Sequence, residues 1–251
     1  MQNKKEILAR LAKVLEAHKQ GLLGGEIMPE DANPALPQGS AESYLYFTLP
    51  MALNYQRNSY TLWDAANKTY ADDKCVDAFN PFAVCKMSDD ELREKLLKYK
   101  TALQPNMHIK IWKTICQSLV NDFNGDVREL FSKNDNDVAQ IKEYINKNKK
   151  GFPYLAGIKL VNYWLCVMEE YAGAVFKNRQ CISVAPDTHI IKASAKLGVI
   201  DEQDMERVDV REYVSVRWED VLKGESIHPI DVHSPLWLWS RSGWQAVDIR
   251  P

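Results

Sequence analysis

Residues 152–165 read FPYLAGIKLVNYWL and residues 185–198 read APDTHIIKASAKLG, and these two stretches decide the fold. The first stretch predicts a tight turn followed by an apolar helix, with Lys159 near the helix start. The second predicts a helix that begins at Asp187, because apolar residues follow it at helical spacing. A lysine and an aspartate are thus each expected at the beginning of a buried helix.

The lysine and the aspartate together suggest one chemistry. A partly desolvated lysine amine can attack C1′ of a sugar and form a Schiff base. A nearby carboxylate can take the amine's proton and stabilise the cationic sugar while a base departs. The amine must be neutral to attack, which requires burial or neighbouring cations. Taken alone, each residue has an ordinary explanation, since Asp187 suits a helix N-cap and Lys159 suits a solvated first turn.

The two stretches resemble the helix-hairpin-helix DNA glycosylase superfamily. The hairpin of that family usually reads L-P-G-V-G-x-K-T-A, and residues 155–159 read LAGIK. Its catalytic acid lies in the sequence V-D-T-H, and residues 186–189 read PDTH. Leu155 replaces the first hairpin glycine, a departure that recurs in the archaeal 8-oxoguanine glycosylase branch. Asp187 lies 28 residues after Lys159, a longer gap than in most of the superfamily.

The resemblance implies an all-α, two-lobed fold in which residues 1–251 form a single glycosylase domain, with the hairpin and catalytic segment at about 150–198. It implies a DNA N-glycosylase that flips out and excises a modified base, with lyase activity through a lysine Schiff base. The first expected substrate is 8-oxoguanine. We expect no cofactor, no metal and no membrane. The expected partner is double-stranded DNA with a modified base, bound by a monomer in the cytoplasm, near the nucleoid, of a prokaryotic or phage-related system.

The resemblance also assigns residues to the catalytic and DNA-binding surfaces. The implied catalytic residues are Lys159 and Asp187, and the implied DNA-binding residues are Gln56, Arg57, Asn58, Leu155, Gly157 and His189. Gln56 matches the family residue that fills the gap left by the extruded base. Backbone N–H groups around Gly157 are expected to bind phosphate oxygens, and His189 is expected to touch a phosphate. Nearby lysines, Lys147, Lys149 and Lys150, could add local charge.

Two tryptophans match the positions that flank the extruded base in the archaeal branch. These are Trp63, which follows residues 54–59 (the Gln56 segment), and Trp237, near the end of the chain. Aromatic faces stack on bases with ~1–3 kcal/mol each, although core packing explains either tryptophan equally well. Asp231, or alternatively His233, is expected to contact the base edge.

Bulk properties limit the function classes. The chain has 251 residues and a net charge of −2, so any nucleic-acid surface must be a local basic patch. Five widely spaced cysteines without a CxxC pair predict free thiols in a reducing compartment. The N-terminus lacks the apolar core of a signal peptide, and no run approaches the ~20 apolar residues that span a membrane.

The rest of the chain predicts more helices, and strand signals are weak. Residues 72–87 are expected to be irregular, and residues 21–40 to form a long loop. Helices are expected over residues 3–20, 108–122 and 201–222, the last in one or two pieces. Further helices are expected in one or two pieces around Pro50, from residue 88, within residues 138–150, and in the tryptophan-rich C-terminal segment.

Three other functions stay open at this point. A glycosylase of the same fold could remove another modified base, such as a glucosylated cytosine of phage DNA in defence. A non-catalytic DNA-binding module could reuse the hairpin. A helical interaction protein without a nucleic-acid partner is consistent with the net charge of −2.

Overall fold

The structure is a computed structural model that describes residues 3–23, 27–245 and 247–249. Within these residues the chain is helical and contains no β-strand, which confirms the predicted all-α class. The α-helices of the described residues are α1 (Lys4–Lys19), α2 (Ala41–Thr48), α3 (Ser59–Tyr70), α4 (Pro81–Lys86), α5 (Asp89–Lys98), α6 (Met107–Phe123), α7 (Val127–Ser132), α8 (Val138–Lys147), α9 (Ile158–Glu170), α10 (Thr188–Leu197), α11 (Val210–Leu222) and α12 (His233–Arg241). Short 3₁₀ helices lie between them at Pro29–Asp31, Met51–Leu53, Val76–Phe79, Arg179–Cys181, Glu202–Glu206 and Pro229–Val232.

The chain divides into two compact helical units. The larger unit comprises Met28–Arg179, and the smaller unit comprises Met1–Ile27 with Gln180–Pro251. In the larger unit, α2 packs against α7 and α9, while α4 and α5 pack against α6. Its core is aromatic, because Trp112, Trp164 and Phe131 are almost completely removed from solvent.

The smaller unit is built from both ends of the chain. Helix α10 packs against α11 and α12, and α1 contacts all three of these helices. The buried face of α1 consists of Ile7, Leu11, Val14 and Ala17 at helical spacing. In its core, the indole of Trp218 donates a 2.8 Å hydrogen bond to Ser194, so the buried polar group of this tryptophan is satisfied.

Local capping explains where several predicted helices begin. Ser88 and Glu91 form a reciprocal capping box at the start of α5, as the acidic helix start at residue 88 predicted. The predicted helices at residues 3–20, 108–122 and 138–150 are confirmed as α1, α6 and α8.

The prediction for residues 72–87 is wrong. This segment forms a 3₁₀ helix at Val76–Phe79 and then α4. The Asn80-Pro81 pair starts a helix there, since the Asn80 side chain accepts from the N–H groups of Phe82 and Ala83. Proline is well tolerated at the first helical position, where its missing N–H would have no partner within the helix. The predicted loop at residues 21–40 also contains a short 3₁₀ helix at Pro29–Asp31.

Two further expectations concern the thiols and the membrane. All five cysteines are free, and three of them are buried: Cys75, Cys116 and Cys166. Across the described residues, no helix combines the length and the apolar character that crossing a bilayer requires.

Candidate functional site

Lys159 occupies the first turn of α9, as the sequence predicted. Gly157 is the N-cap residue of this helix and supplies no side-chain cap. The Lys159 side chain is half-buried. One turn further along, Asn162 is buried and accepts a 3.0 Å hydrogen bond from Nζ of Lys142, which lies on α8. Positions 159 and 162 lie one turn apart on the same helix, and the Lys142 amine contacts the later of the two.

The turn before α9 is closed by its own backbone hydrogen bonds. The N–H of Leu155 donates to Pro153 O at 2.8 Å, and that of Gly157 donates to Tyr154 O at 2.9 Å. Tyr154 adopts a left-handed φ of 64°, and the Leu155 side chain is fully buried. Leu155 and Gly157 therefore shape the hairpin, and their amides are not presented to a phosphate. The donors that a phosphate would use at this helix start are those of residues 158–160.

The segment that contains Gln56 is also held in an unusual conformation. Gln56 is exposed and has a φ of 52°, a region that residues other than glycine rarely adopt. Asn58 is the N-cap of α3 and accepts from Thr61 N–H at 3.2 Å. Both side chains lie at the surface. Gln56, with its left-handed backbone, therefore lies at the position where the resemblance expects the residue that fills the gap left by the base.

Arg57 has a structural task in this segment. Its guanidinium donates to Thr101 O at 2.7 Å and to Lys100 O at 3.1 Å. Burial lowers the pKa of Arg57 to about 10, so the group remains cationic at neutral pH. The side chain is engaged with protein carbonyl groups, and its expected contact with DNA stays a prediction.

Tyr55 brings the Gln56 segment and the hairpin together. Its ring lies 5.0 Å from the ring of Tyr154, centroid to centroid, which is within the range of favourable aromatic pairs. Tyr55 is 38 % exposed. Two segments that are almost a hundred residues apart in the chain, and that were both assigned to DNA binding, therefore lie side by side in the larger unit.

Asp187 caps α10 and contacts a second predicted residue. Its Oδ1 accepts from the N–H groups of His189 and Ile190, at 2.9 and 3.0 Å. Its Oδ2 accepts a 3.2 Å hydrogen bond from Nε1 of Trp237. Asp187 is therefore an ordinary helix N-cap, and its carboxylate also contacts the tryptophan that the resemblance expects to stack on a base.

His189 and Arg241 complete this cluster in the smaller unit. Nδ1 of His189 lies 3.1 Å from Ser240 Oγ, and the imidazole meets the indole of Trp237 edge-on at 5.6 Å. The Arg241 guanidinium lies 5.2 Å from the Trp237 ring centroid, a cation–π arrangement. The structure therefore brings Asp187, His189 and Trp237 together and adds one cation beside them.

Asp231 takes part in a local cap. Its Oδ2 accepts a 2.8 Å hydrogen bond from His228 N–H at the start of the 3₁₀ helix Pro229–Val232. His233, the alternative for the base edge, is buried, and its Nδ1 accepts from Ala185 N–H at 3.4 Å. Both residues are used in holding the segment before α12, and a contact with a base stays a prediction.

Trp63 does not offer a stacking face. The side chain is completely buried, and its ring packs against those of Tyr46 and Phe47 at 5.8 and 5.6 Å. The resemblance placed Trp63 in the base pocket, and this assignment is wrong because no part of the indole is open to a base. Trp63 is part of the core of the larger unit.

A buried carboxylate lies against Trp63, and sequence reasoning missed it. Glu30 is completely buried; its Oε1 accepts from Trp63 Nε1 at 2.6 Å and its Oε2 from the Tyr163 hydroxyl at 2.8 Å. Burial raises the pKa of Glu30 to about 7, against the opposing effect of these hydrogen bonds. Its partners are 33 and 133 residues away, and no local pattern around Glu30 signals this environment.

The catalytic candidates belong to different units. Lys159, with the hairpin and the Gln56 segment, lies in the larger unit, while Asp187, His189 and Trp237 lie in the smaller one. No group of histidine, cysteine, aspartate or glutamate side chains suited to hold a metal ion occurs in the part of the chain that the structure describes.

No protein-family model matches the sequence, and no curated protein matches it.

Proposed function

We propose that this chain is a DNA N-glycosylase that extrudes and excises a modified base, with an accompanying lyase activity. The observation that carries the proposal is the hydrogen bond between Trp237 and Asp187. The family resemblance implies base stacking for Trp237 and stabilisation of the sugar cation for Asp187. Trp237 is buried and the Arg241 guanidinium lies over its ring, so in this proposal Arg241 moves aside to admit the base, whose sugar then lies close to the carboxylate.

Asp187 is suited to electrostatic stabilisation. Its two oxygens are engaged by two backbone N–H groups and one indole N–H, so the carboxylate has a fixed orientation. A preorganised negative charge lowers the free energy of an oxocarbenium-like sugar without reorganisation during the reaction. In this proposal Asp187 faces the developing positive charge at C1′.

Lys159 is the proposed nucleophile. Its neutral amine forms a bond to C1′ while the bond from C1′ to the base nitrogen breaks, and the base leaves with the bonding electrons. Loss of the amine's proton and opening of the sugar ring give an imine. Removal of a C2′ proton from this imine then expels the 3′ phosphate oxygen, which nicks the strand. The amine of Lys142 on α8 donates to Asn162, which lies one turn after Lys159 on α9.

DNA binding in this proposal uses local features and not net charge. The start of α9 offers backbone N–H groups to a phosphate. Exposed Gln56, in its left-handed conformation, is the candidate to fill the space that the extruded base leaves. Extrusion from a duplex costs a few kcal/mol, so a wedge of this kind is needed. The protein acts in this account as a monomer in the cytoplasm, near the nucleoid.

The first substrate to test is 8-oxoguanine, and the alternative is a bulkier modified base such as glucosylated hydroxymethylcytosine. Trp63 is completely buried and Trp237 is only 8 % exposed, so neither aromatic face expected in the 8-oxoguanine branch is open, which favours testing the alternative in parallel. A non-catalytic DNA-binding module would need neither Lys159 nor Asp187, and both are present at helix starts.

The test is base release from a set of otherwise identical duplexes. One carries 8-oxoguanine, one carries glucosylated hydroxymethylcytosine, and one is unmodified. We expect release from one modified duplex only, and a loss of at least about 100-fold in rate for Asp187→Asn. Asparagine still caps a helix well, so this variant removes the charge and retains the fold. Release at the wild-type rate by Asp187→Asn, or no release from any duplex with DNA binding intact, would exclude the proposed mechanism.

A further inference from the structure

A cavity of about 460 Å³ lies in the larger unit, between the start of α2, the end of α3, the start of α4 and the turn before α7. All of the residues that line it lie between positions 41 and 126, so the cavity is formed within this one unit. Its volume is within the range of ~300–1,000 Å³ that is typical of small-molecule sites. None of the residues assigned above to catalysis or DNA binding lines it. The cavity is therefore a candidate site for a ligand other than the DNA.

Three aromatic rings line this cavity, those of Tyr70, Phe79 and Phe82. Phe79 is buried and meets the ring of Tyr70 edge-on, with 5.1 Å between the centroids. Phe82 differs from it, because 49 % of this large apolar residue is exposed. The Phe82 ring lies against Gly125, where an added Cβ would come within 2.6 Å of Cε2. The missing side chain at Gly125 thus lets a ring of the cavity pack directly on the backbone.

The charged residues that line the cavity are all acidic: Glu42, Asp77 and Asp126. Two of these carboxylates have cationic partners that are not part of the lining. Asp126 accepts from the Arg128 guanidinium at 2.6 and 2.9 Å, and Asp77 forms a 2.9 Å ion pair with Lys95. The Glu42 side chain makes no hydrogen bond or ion pair with any other residue that the structure describes. Together with its partners, the lining therefore carries one negative charge that is not paired.

The Glu42 carboxylate acts on the aromatic part of the lining. Burial and the nearby Glu42 charge raise the pKa of Tyr70, so the phenol stays neutral beside the carboxylate. The Tyr70 hydroxyl has no hydrogen-bond partner in the described part of the chain and is available to a ligand. A carboxylate beside aromatic faces favours a positively charged group, because its charge and the ring quadrupoles both attract a cation.

We propose that this cavity binds a small organic cation that combines one ammonium group with an apolar body. The Glu42 carboxylate pairs with the ammonium group, and the rings of Tyr70 and Phe82 contact the apolar body. A single positive charge matches the one unpaired carboxylate, whereas an anion would be repelled and a neutral molecule would gain the apolar contacts alone. The inference goes beyond the proposed function and does not depend on it, since it requires neither DNA binding nor base release.

Three probes of similar size test the preference for charge. Benzylammonium, benzyl alcohol and phenylacetate are positive, neutral and negative at neutral pH, and each carries one aromatic ring. Their dissociation constants for the full chain are measured by ligand-observed NMR titration at low ionic strength. We expect benzylammonium to bind about 5-fold more tightly than benzyl alcohol, the scale of one partly exposed charge pair, and phenylacetate to bind most weakly.

Two matched substitutions locate the site. Glu42→Gln should weaken benzylammonium binding about 5-fold and leave benzyl alcohol binding unchanged, which also shows that the cavity is still folded. Glu94→Gln is the control, because Glu94 is an exposed glutamate on α5 of the same unit that does not line the cavity, and it should change neither value. Phe82→Ala should weaken the binding of both probes, since both contact the ring.

Three results would overturn the cation site. The first is benzylammonium binding no tighter than benzyl alcohol, and the second is equal benzylammonium affinities for Glu42→Gln and Glu94→Gln. The third is the absence of binding by any of the three probes at millimolar concentration. Each of these results leaves the glycosylase proposal standing, because no DNA substrate is involved.

Discussion

The indole Nε1 of Trp237 donates a 3.2 Å hydrogen bond to Oδ2 of Asp187, which lies fifty residues earlier in the chain. The opposite oxygen of the same carboxylate accepts two backbone N–H groups at the start of α10. Because both oxygens are engaged, the carboxylate has one preferred orientation. The relationship connects a helix cap, a fixed charge and an aromatic face in one place.

Replacing Trp237 with phenylalanine tests the value of this hydrogen bond. The ring remains and the donor is lost, so Asp187 keeps its cap and loses the constraint on Oδ2. We expect the single-turnover rate of base release to fall about 10-fold, with stability reduced by about 1 kcal/mol, as for one ordinary hydrogen bond.

Trp239→Phe is the matched control for that substitution. Trp239 is also buried on α12, but its Nε1 finds no acceptor among the described residues. Its loss should leave the rate of base release unchanged. Equal rates for Trp237→Phe and Trp239→Phe would contradict a role for the Trp237 donor.

Arg57 offers a test that separates a clamp from a phosphate contact. Its guanidinium is bound to two protein carbonyl groups, so Arg57→Ala should lower stability by about 2 kcal/mol and weaken DNA binding. It should leave the salt dependence of binding unchanged, since no phosphate contact is lost. The measurement is the slope of log K against log salt concentration for wild type and variant.

Lys149→Ala provides the comparison for the salt slope. This exposed lysine lies just before the hairpin, and loss of one phosphate contact reduces the slope by ~0.9. An equal reduction for Arg57→Ala would show that Arg57 binds phosphate and that the clamp is broken on binding.

The buried carboxyl of Glu30 predicts a pH-dependent stability. Its pKa is about 7 in the folded chain and near 4.5 otherwise. Between these values the folded state holds a proton that the unfolded state has released, so the free energy of unfolding falls as pH rises, by about 3 kcal/mol in total. The contribution is complete below about pH 4.5 and is lost above about pH 7.

Glu30→Gln removes that titration and should flatten the profile. The amide keeps an acceptor for Trp63 Nε1 and can donate to the Tyr163 oxygen. Urea unfolding at several pH values between 5 and 8 gives the free energy of unfolding of wild type and variant, and it resolves differences of about 1 kcal/mol. The account is wrong for Glu30 if wild type and variant lose stability in parallel over this range.

Gly125 precedes α7 in a conformation that only glycine adopts easily. Its φ is +73°, and a Cβ there would lie 2.6 Å from Cε2 of Phe82. Gly125→Ala should therefore lose about 1–2 kcal/mol from the backbone and a further 1–3 kcal/mol from the clash. Gly224→Ala shares the backbone cost, with a φ of +83° and nothing within 4 Å of the added Cβ. Similar losses in the two variants, measured by urea unfolding, would mean that Phe82 moves aside freely.

The helices of this chain are well encoded locally, and their tertiary partners are not. The start of α5 follows from Ser88 and Glu91, and that of α10 from Asp187, because capping involves neighbours in sequence. Asn80-Pro81 carries the same local signal, but a turn and a helix start use the same residue types, and the segment was predicted as irregular.

In the candidate site, too, the helix starts were predictable from local sequence and the tertiary contacts were not. Lys159 and Asp187 are found at helix starts, as their local sequence predicted. The burial of Trp63 and the cluster it forms with Glu30 depend on residues from distant segments. The contact between Tyr55 and Tyr154 is likewise set by packing. Sequence periodicity places a tryptophan on the apolar side of a helix, but it does not show whether other segments bury the ring.

Covalent trapping tests the central claim most directly. The protein is incubated with the modified duplex that supports base release, borohydride is added, and the protein–DNA adduct is quantified. Wild type and Lys86→Ala, an exposed lysine on α4 of the larger unit, should both be trapped. Lys159→Ala should yield no adduct, because the imine that borohydride reduces forms on the Lys159 amine. Base release by the wild type without any adduct, or an undiminished adduct in Lys159→Ala, would contradict the account.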